Sequence, residues 1–472
     1  LKTLLHATYF LIVFMIACTT QARTFTDSQG RELEAEIIAY DGGDAVTIRR
    51  SDGNEFPLNL DRLSAADQAY VRNWKPKEAP TVPPEKIKRI NELFGAELFV
   101  DGVLWDDAPS DVAKRLSWPE ESQTATQSSF RKYNRADDLL FGARPYSSTL
   151  YGQDGKVDMI SIIFANKGDS AKNAFAMNSK QIESAIAKAI DSDGETITKQ
   201  LSTLGEPEQQ TTATGRNMKE RLKVWDWNGH TIMLAVQNEE YVAVRIMPPE
   251  LAANRGRPER VSSSELKVTA KANVQKRANG DVIITNIPMV DQGPKGYCVP
   301  ATLERALRYM GIRADMYLLA MAGNTSIGGG TYVHELIDGA EGYVKSAGRK
   351  LEGVSIKLKA RNVAKYIDQG QPILWTMFST PEYNALANSY TQARAKYPKA
   401  KDWEEALKDK LKDKPSLEPN MEMGHACMII GYNEETDEIA VSDSWGPAFT
   451  ERWVPASLAN DISQGKFWVV DF

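Results

Sequence analysis

The chain has 472 residues, more than one ordinary hydrophobic core absorbs, so two to four domains are expected. Its composition, 42% hydrophobic and 25% charged, is that of a soluble globular protein. The net charge of −6 is spread along the chain, which argues against a nucleic-acid or polybasic membrane role.

At the N-terminus Lys2 supplies a positive start, Tyr9 to Ala17 an apolar run, and Thr20-Gln21-Ala22 small residues for cleavage before Arg23. Residues 1–22 are therefore expected to be an export signal, because the apolar run is short for a membrane span. No integral span is expected, and the mature protein would be secreted, periplasmic or held at the cell envelope. Met15-Ile16-Ala17-Cys18 loosely matches a bacterial lipoprotein box, so lipid anchoring at Cys18 is an alternative to release. Cys298 and Cys427 then remain. A bridge between them is allowed in an oxidising compartment, but it would block the site proposed below.

Residues 23–74 read as a small β module. Phe25 to Asp27, Glu34 to Tyr40 and Ala45 to Arg50 are strand-like, with turns at Asp41-Gly42-Gly43 and Ser51-Asp52-Gly53-Asn54. Arg23 to Asp27, Gly30 to Glu36, Leu58 to Leu63 and Val71 to Trp74 resemble a small Src-homology-3-like barrel found in exported bacterial proteins. That resemblance implies a binding or spacing module with possible cell-surface association. Residues 75–84 follow as a proline-rich, stiff linker.

Residues 85–250 read as an α+β domain of unknown role. Glu85 to Phe94 and Ser179 to Ile190 have helical periodicity, while Val157 to Phe164 and Thr231 to Met247 read as strands. Asn228-Gly229 signals a hairpin before His230. Residues 251–265 read as a second linker.

Residues 266–472 carry the chemistry. Ala301 to Tyr309 has helical composition, with Leu303, Ala306, Leu307 and Met310 on one face. Cys298 stands at the start of that helix, where the positive end of the dipole favours a thiolate. An unperturbed thiol of pKa about 8.5 is only about 3% ionised at pH 7, so a nucleophile needs this help and a paired histidine. Gln292 lies six residues upstream, with Gly293 and Gly296 between, and its amide can share an oxyanion with the Cys298 N–H. A solvent-facing loop glutamine is the alternative.

Four histidines are present. His6 lies in the signal, His230 in a hairpin turn, and His334 on a helix face expected to be solvated. His425 instead opens the apolar strand Ala426 to Ile430 and is the candidate base. The midpoint between His425 and Asp443 is position 434, inside the polar turn Asn433 to Asp437. An antiparallel hairpin there sets Asp443 opposite or diagonal to His425, where a carboxylate holds the imidazole. Trp445 either covers this pair or is a core aromatic. Lys401 to Lys414 reads as a strongly charged amphipathic helix on the solvated surface, inserted between the two halves of the domain. No metal-ligand spacing is present, so no cofactor is expected.

Gln292-Gly293-x-x-Gly296-x-Cys298, Gly424-His425-Ala426, Gly431-Tyr432 and Asp443-Ser444-Trp445-Gly446 resemble the papain-like cysteine peptidase fold, in its bacterial double-glycine-peptidase-like branch. The resemblance spans about residues 285–472. It implies Cys298, His425 and Asp443 as catalytic residues, Gln292 as an oxyanion donor, and a peptide or protein substrate. Asp443 departs from the Asn of papain-type enzymes but agrees with the bacterial branch. Cys298 and His425 are 127 residues apart, just under the spacing typical of papain-type chains. By the same resemblance Gly329, Gly330 and Trp445 would line the cleft. The plainer reading of Gly328 to Thr331 is a helix entry with Thr331 as N-cap. Cys427, two residues from His425, reads as small packing near the site.

The expected architecture is thus multidomain α+β: a small N-terminal β-barrel, an α+β middle domain and a C-terminal papain-like domain. The expected function is that of an exported cysteine peptidase or related acyl hydrolase. A catalytically silent peptidase-like surface-binding protein, and a thiol-dependent transamidase, are the alternatives.

Overall fold

The structure is a computed structural model that describes residues 23–472 apart from 51–53, 75–81, 101–102, 136, 169–177, 214, 216, 255–259, 295, 328–329 and 413–415. The expected export signal, Cys18 and most of the first linker lie outside the described residues. The chain divides into two compact units, one ending at Thr81 and one spanning Val82–Phe472.

In the first unit β1 (Arg23–Thr26), β2 (Glu32–Ala39), β3 (Ala45–Arg50) and β4 (Glu55–Asn59) form an antiparallel meander. The chain after β4 returns to β1, with Ser28 N–H donating to the Arg62 carbonyl and Ser64 N–H to the Thr26 carbonyl. The helix Ala65–Asn73 follows, capped by the Ser64 side chain. Phe25, Val46, Ile48, Leu60 and Val71 form its small core.

The second unit contains two eight-stranded sheets. The first is built from β5 (Glu120–Gln123), β6 (Gln127–Tyr133), β7 (Ser147–Gln153), β8 (Lys156–Asn166), β9 (Glu208–Ala213), β10 (Lys219–Trp227), β11 (His230–Gln237) and β12 (Tyr241–Met247). Its order is β5-β6-β7-β8-β12-β11-β10-β9. Two four-stranded meanders are therefore joined through β8 and β12. Asn228 and Gly229 both have positive φ and make the β10–β11 turn.

Side chains along β12 alternate between two cores. Val242, Val244 and Ile246 pack with Ile186, Ile190, Ile197 and Leu201 of the helix Ser179–Leu201. Tyr241, Ala243 and Met247 point the other way, into a cluster with Val290, Tyr297, Ala301, Met316, Tyr317 and Ala320. Both faces are buried, which is why every residue of β12 is buried.

The other sheet comprises β13 (Val274–Lys276), β14 (Val282–Ile284), β15 (Lys350–Val354), β16 (Ile373–Phe378), β17 (Gly424–Asn433), β18 (Glu438–Ser442), β19 (Arg452–Pro455) and β20 (Ser463–Asp471). Its main path is β13-β14-β17-β16-β20-β15, with β18 on β17 and β19 on β18. The helix Cys298–Tyr309 is buried at every residue, Thr302, Glu304, Arg305 and Arg308 included. Its apolar side joins Cys427, Met428 and Ile429 in one core, while Glu304 accepts from the Tyr151 hydroxyl of β7. No helix among the described residues is long and apolar enough to cross a membrane.

Three sequence expectations are refined or corrected. The helix expected at 401–414 is Ala400–Lys412; it keeps a Glu404–Lys408 ion pair at 2.7 Å and buries Trp403 and Leu407 on its apolar face. The helix after Gly330 is Val333–Ser346 with Tyr332 as N-cap; Thr331 instead hydrogen-bonds Thr325 through its hydroxyl, at 2.7 Å. His230 is fully buried among Phe99, Trp105 and Trp227 and accepts from the Leu104 N–H. Burial holds its pKa down at about 4, which makes it a neutral packing group.

Candidate active site

Cys298 is the first residue of its helix, after Tyr297 as N-cap. Its thiol stands at the positive end of the helix, and the Val299 and Ala426 N–H groups both favour the thiolate. One turn later the Thr302 hydroxyl donates to the Ala426 carbonyl at 3.1 Å. That bond ties the cysteine helix to the strand residue beside His425.

His425 is the second residue of β17 and is 7% exposed. Its Nε2 meets Asp443 Oδ1 at 2.9 Å, and its ring also hydrogen-bonds the Cys298 thiol. The structure thus brings these three side chains together. The β17–β18 register pairs Met428 with Ser442 and Asn433 with Glu438, with an irregularity between Ile429 and Gly431. Continued one step, this register sets Asp443 against Cys427, so Asp443 approaches His425 diagonally. Such a diagonal lies within reach of long side chains.

Burial would raise the Cys298 thiol, but the hydrogen bond and charge of His425 outweigh it, and the pKa falls below the usual 9.0. Burial likewise disfavours a charged His425, yet Asp443 and Cys298 push its pKa up to about 9. Asp443 is fully buried, which favours its neutral form; His425 and Arg452 overcome this and hold it below the usual carboxylate value. The three groups favour thiolate, imidazolium and carboxylate together.

Arg452 was not among the residues singled out from sequence. Its Nη2 and Nε reach Asp443 Oδ2 at 2.6 and 3.1 Å, and its Nη1 reaches Asn384 and Asn388. It comes from β19, two strands away from β17, so no local signal marks it. Arg305 is a second such group. It is 1% exposed and binds the Ser442 hydroxyl, the Ser442 carbonyl, the Ser444 hydroxyl and the Pro288 carbonyl. The Asp443 loop and the approach to Cys298 are thereby fastened to one helix.

Gln292 is half-buried, and its N–H donates to the Ser444 carbonyl at 2.9 Å. Gly293 has φ +71°, which a residue with a side chain rarely adopts. Trp445 is half-buried and lies over His425, ring centroids 4.7 Å apart, with Arg452 against its face at 5.3 Å. Gly330 is exposed, and its N–H donates to the Gly296 carbonyl at 3.0 Å, beside the nucleophile turn. Gly329 lies outside the described residues. Cys427 is fully buried against Met377, and both it and Cys298 are free thiols. His334 is exposed and contacts Lys466 and Trp468.

A buried thiol at a helix start, an imidazole bonded to it and a carboxylate bonded to the same imidazole are the parts of a thiol acyl-transfer centre. Residues 284–468 match the Peptidase_C39 like family. That match supports a papain-like cysteine peptidase domain in this stretch and suggests a cysteine peptidase-type function acting on peptides or proteins. No match was found among curated proteins.

Proposed function

We propose that this protein is an exported cysteine peptidase that hydrolyses peptide bonds through Cys298, His425 and Asp443. The observation that carries this reading is the His425–Asp443 contact at 2.9 Å, with the Cys298 thiol hydrogen-bonded to the same ring. Cys298 Sγ attacks the carbonyl carbon as the peptide C–N bond breaks. His425 passes its proton to the leaving amine, then takes one from the water that releases the acyl group. Asp443 holds the imidazole and stabilises its charge. Gln292 and the Cys298 N–H are the proposed oxyanion donors, and Gly330 and Trp445 border the cleft. Residues 23–74 act as a binding or spacing module in this reading.

Iodoacetamide tests it. A free thiol of pKa about 8.5 is only ~0.3% ionised at pH 6, so selective alkylation of Cys298 at that pH reports a paired thiolate. His425→Ala should slow this alkylation roughly 100-fold. Peptide hydrolysis should rise as the thiol ionises, below its usual 9.0, and decline as His425 loses its proton near about 9. A wild-type Cys298 that alkylates no faster than a free thiol would sink the reading and leave a catalytically silent binding protein. Incorporation of added amines into peptides in preference to hydrolysis would make the enzyme a transamidase.

A further inference from the structure

The segment from Pro288 to Cys298 carries Gln292 and ends on the thiol. The first sheet of the second unit grips it at several points. Met289 N–H donates to the Ser122 hydroxyl at 2.9 Å, and Asp291 N–H to Glu121 Oε1 at 2.8 Å. The Tyr133 hydroxyl donates to the Asp291 carbonyl at 2.7 Å. The Tyr297 hydroxyl, next to Cys298, donates to Asn166 Oδ1 at 2.9 Å. Glu121 is itself fixed by Arg131 at 2.5 Å, both side chains almost fully buried. A methyl group on Gly293 would sit 2.8 Å from the Tyr133 ring, so the backbone lies directly on that ring.

The Asp291 carbonyl and the Gln292 N–H belong to one planar peptide unit. Tyr133 holds the first from one side, and the Ser444 carbonyl holds the second from the other. This plane sets the direction in which the Gln292 side chain leaves the backbone. We infer that Tyr133, with Glu121 and Ser122, is a positioning residue for the thiol centre, acting through the 291–292 peptide on the Gln292 amide. Residues 85–250 then contribute to the thiol centre through this contact. The inference rests on the peptidase reading and on Gln292 as an oxyanion donor.

The test uses the full chain and two chemistries at the same sulfur. Acylation by N-benzyloxycarbonylglycine p-nitrophenyl ester joins Sγ to the acyl carbon as p-nitrophenolate leaves, and it draws on the oxyanion donors. Alkylation by iodoacetamide at pH 6 needs only the thiolate. Gln292→Ala should slow acylation about 100-fold, the usual loss for one such donor. Tyr133→Phe should slow it about 10-fold and leave alkylation and thermal midpoint near wild type, since small displacements of a positioned group cost rate. On the Gln292→Ala background Tyr133→Phe should add less than a twofold loss, because the two act in series. Ser122→Ala, a smaller change, should move acylation in the same direction.

Unchanged acylation in both Tyr133→Phe and Ser122→Ala would overturn the inference alone. So would a full 10-fold loss on the Gln292→Ala background, or a fall in alkylation matching the fall in acylation, which marks general loosening. A wild-type thiol that is neither acylated nor selectively alkylated would remove the peptidase reading and this inference with it.

Discussion

Arg452 supplies a permanent cation against a carboxylate with almost no access to water. Asp443 and Arg452 side chains are 1% and 3% exposed. Breaking a buried pair by removing one partner is costly, since the other charge stays behind without solvent. Arg452→Ala should therefore lower stability by roughly 3–5 kcal/mol in urea unfolding at pH 7. The sign with pH follows from the lowered Asp443 pKa. The pair contributes fully above the unfolded value of 3.8 and is lost only as pH falls through the lower folded value. Unfolding of wild type and variant at pH 7 and pH 3 checks it: an Arg452→Ala penalty of the same size at both would count against the ion pair. At this scale Cys298, His425 and Asp443 were legible, because each is a chemically distinctive residue in a short, recognisable string. Arg452 and Arg305 were not. Nothing in their neighbourhoods separates them from surface arginines, and only the return of β19 and the burial of a helix give them partners.

Elements decide which of those strings meet. The hairpin β17–β18 could be placed from its polar turn, and with it the proximity of Asp443 to His425. Its register could not be fixed from sequence, because the irregularity near Gly431 shifts the count and makes the approach diagonal. Gly431 has a packing reason as well. A methyl there would lie 2.7 Å from the Val282 carbonyl oxygen of β14 and 3.1 Å from the Ala440 Cβ of β18. Gly431→Ala should thus cost about 1–3 kcal/mol as the strands move apart, read as a lowered urea midpoint with an unchanged slope. An unaltered midpoint would mean that the sheet accommodates the methyl freely. The helix Cys298–Tyr309 gives the opposite lesson. Its apolar face is legible from spacing, but the burial of Glu304, Arg305 and Arg308 is not. Charged side chains look alike in sequence whether water or another sheet covers them.

On the scale of the whole second unit, the two sheets share a third apolar cluster and a set of buried polar groups between them. Glu304 is central to that set. It accepts from Tyr151 and from the Met316 N–H, with Arg308 at 3.6 Å, and burial pushes its pKa up to about 7. A carboxyl whose folded pKa is raised binds its proton more tightly in the native state. Its stabilising effect is then complete below the unfolded value of 4.5 and is lost as pH rises through about 7. The wild type should lose on the order of 2–3 kcal/mol between pH 5 and pH 7 relative to Glu304→Gln, whose side chain does not titrate. Parallel stability curves for the two proteins over that range would contradict it. Glu304 joins elements far apart in the chain, so this pH dependence would belong to the contact between the two sheets.

The inventory and much of the local order are written in the chain: the strands and helices with strong periodicity, the Asn228-Gly229 turn, the thiol at a helix start, and the histidine and aspartate on one hairpin. These are short-range properties, set by side-chain period and turn chemistry within a few residues. What covers each face is set by long-range packing. The second face of β12, the charged side of the cysteine helix and the grip of Tyr133 on residue 291 depend on distant segments, the last two on contacts 153 and 158 residues apart in the chain, while the cation behind Asp443 comes from the return of β19 nine residues on. Burial by such distant segments leaves no periodic trace, since a buried polar group is made tolerable by its partner and not by its neighbours in sequence.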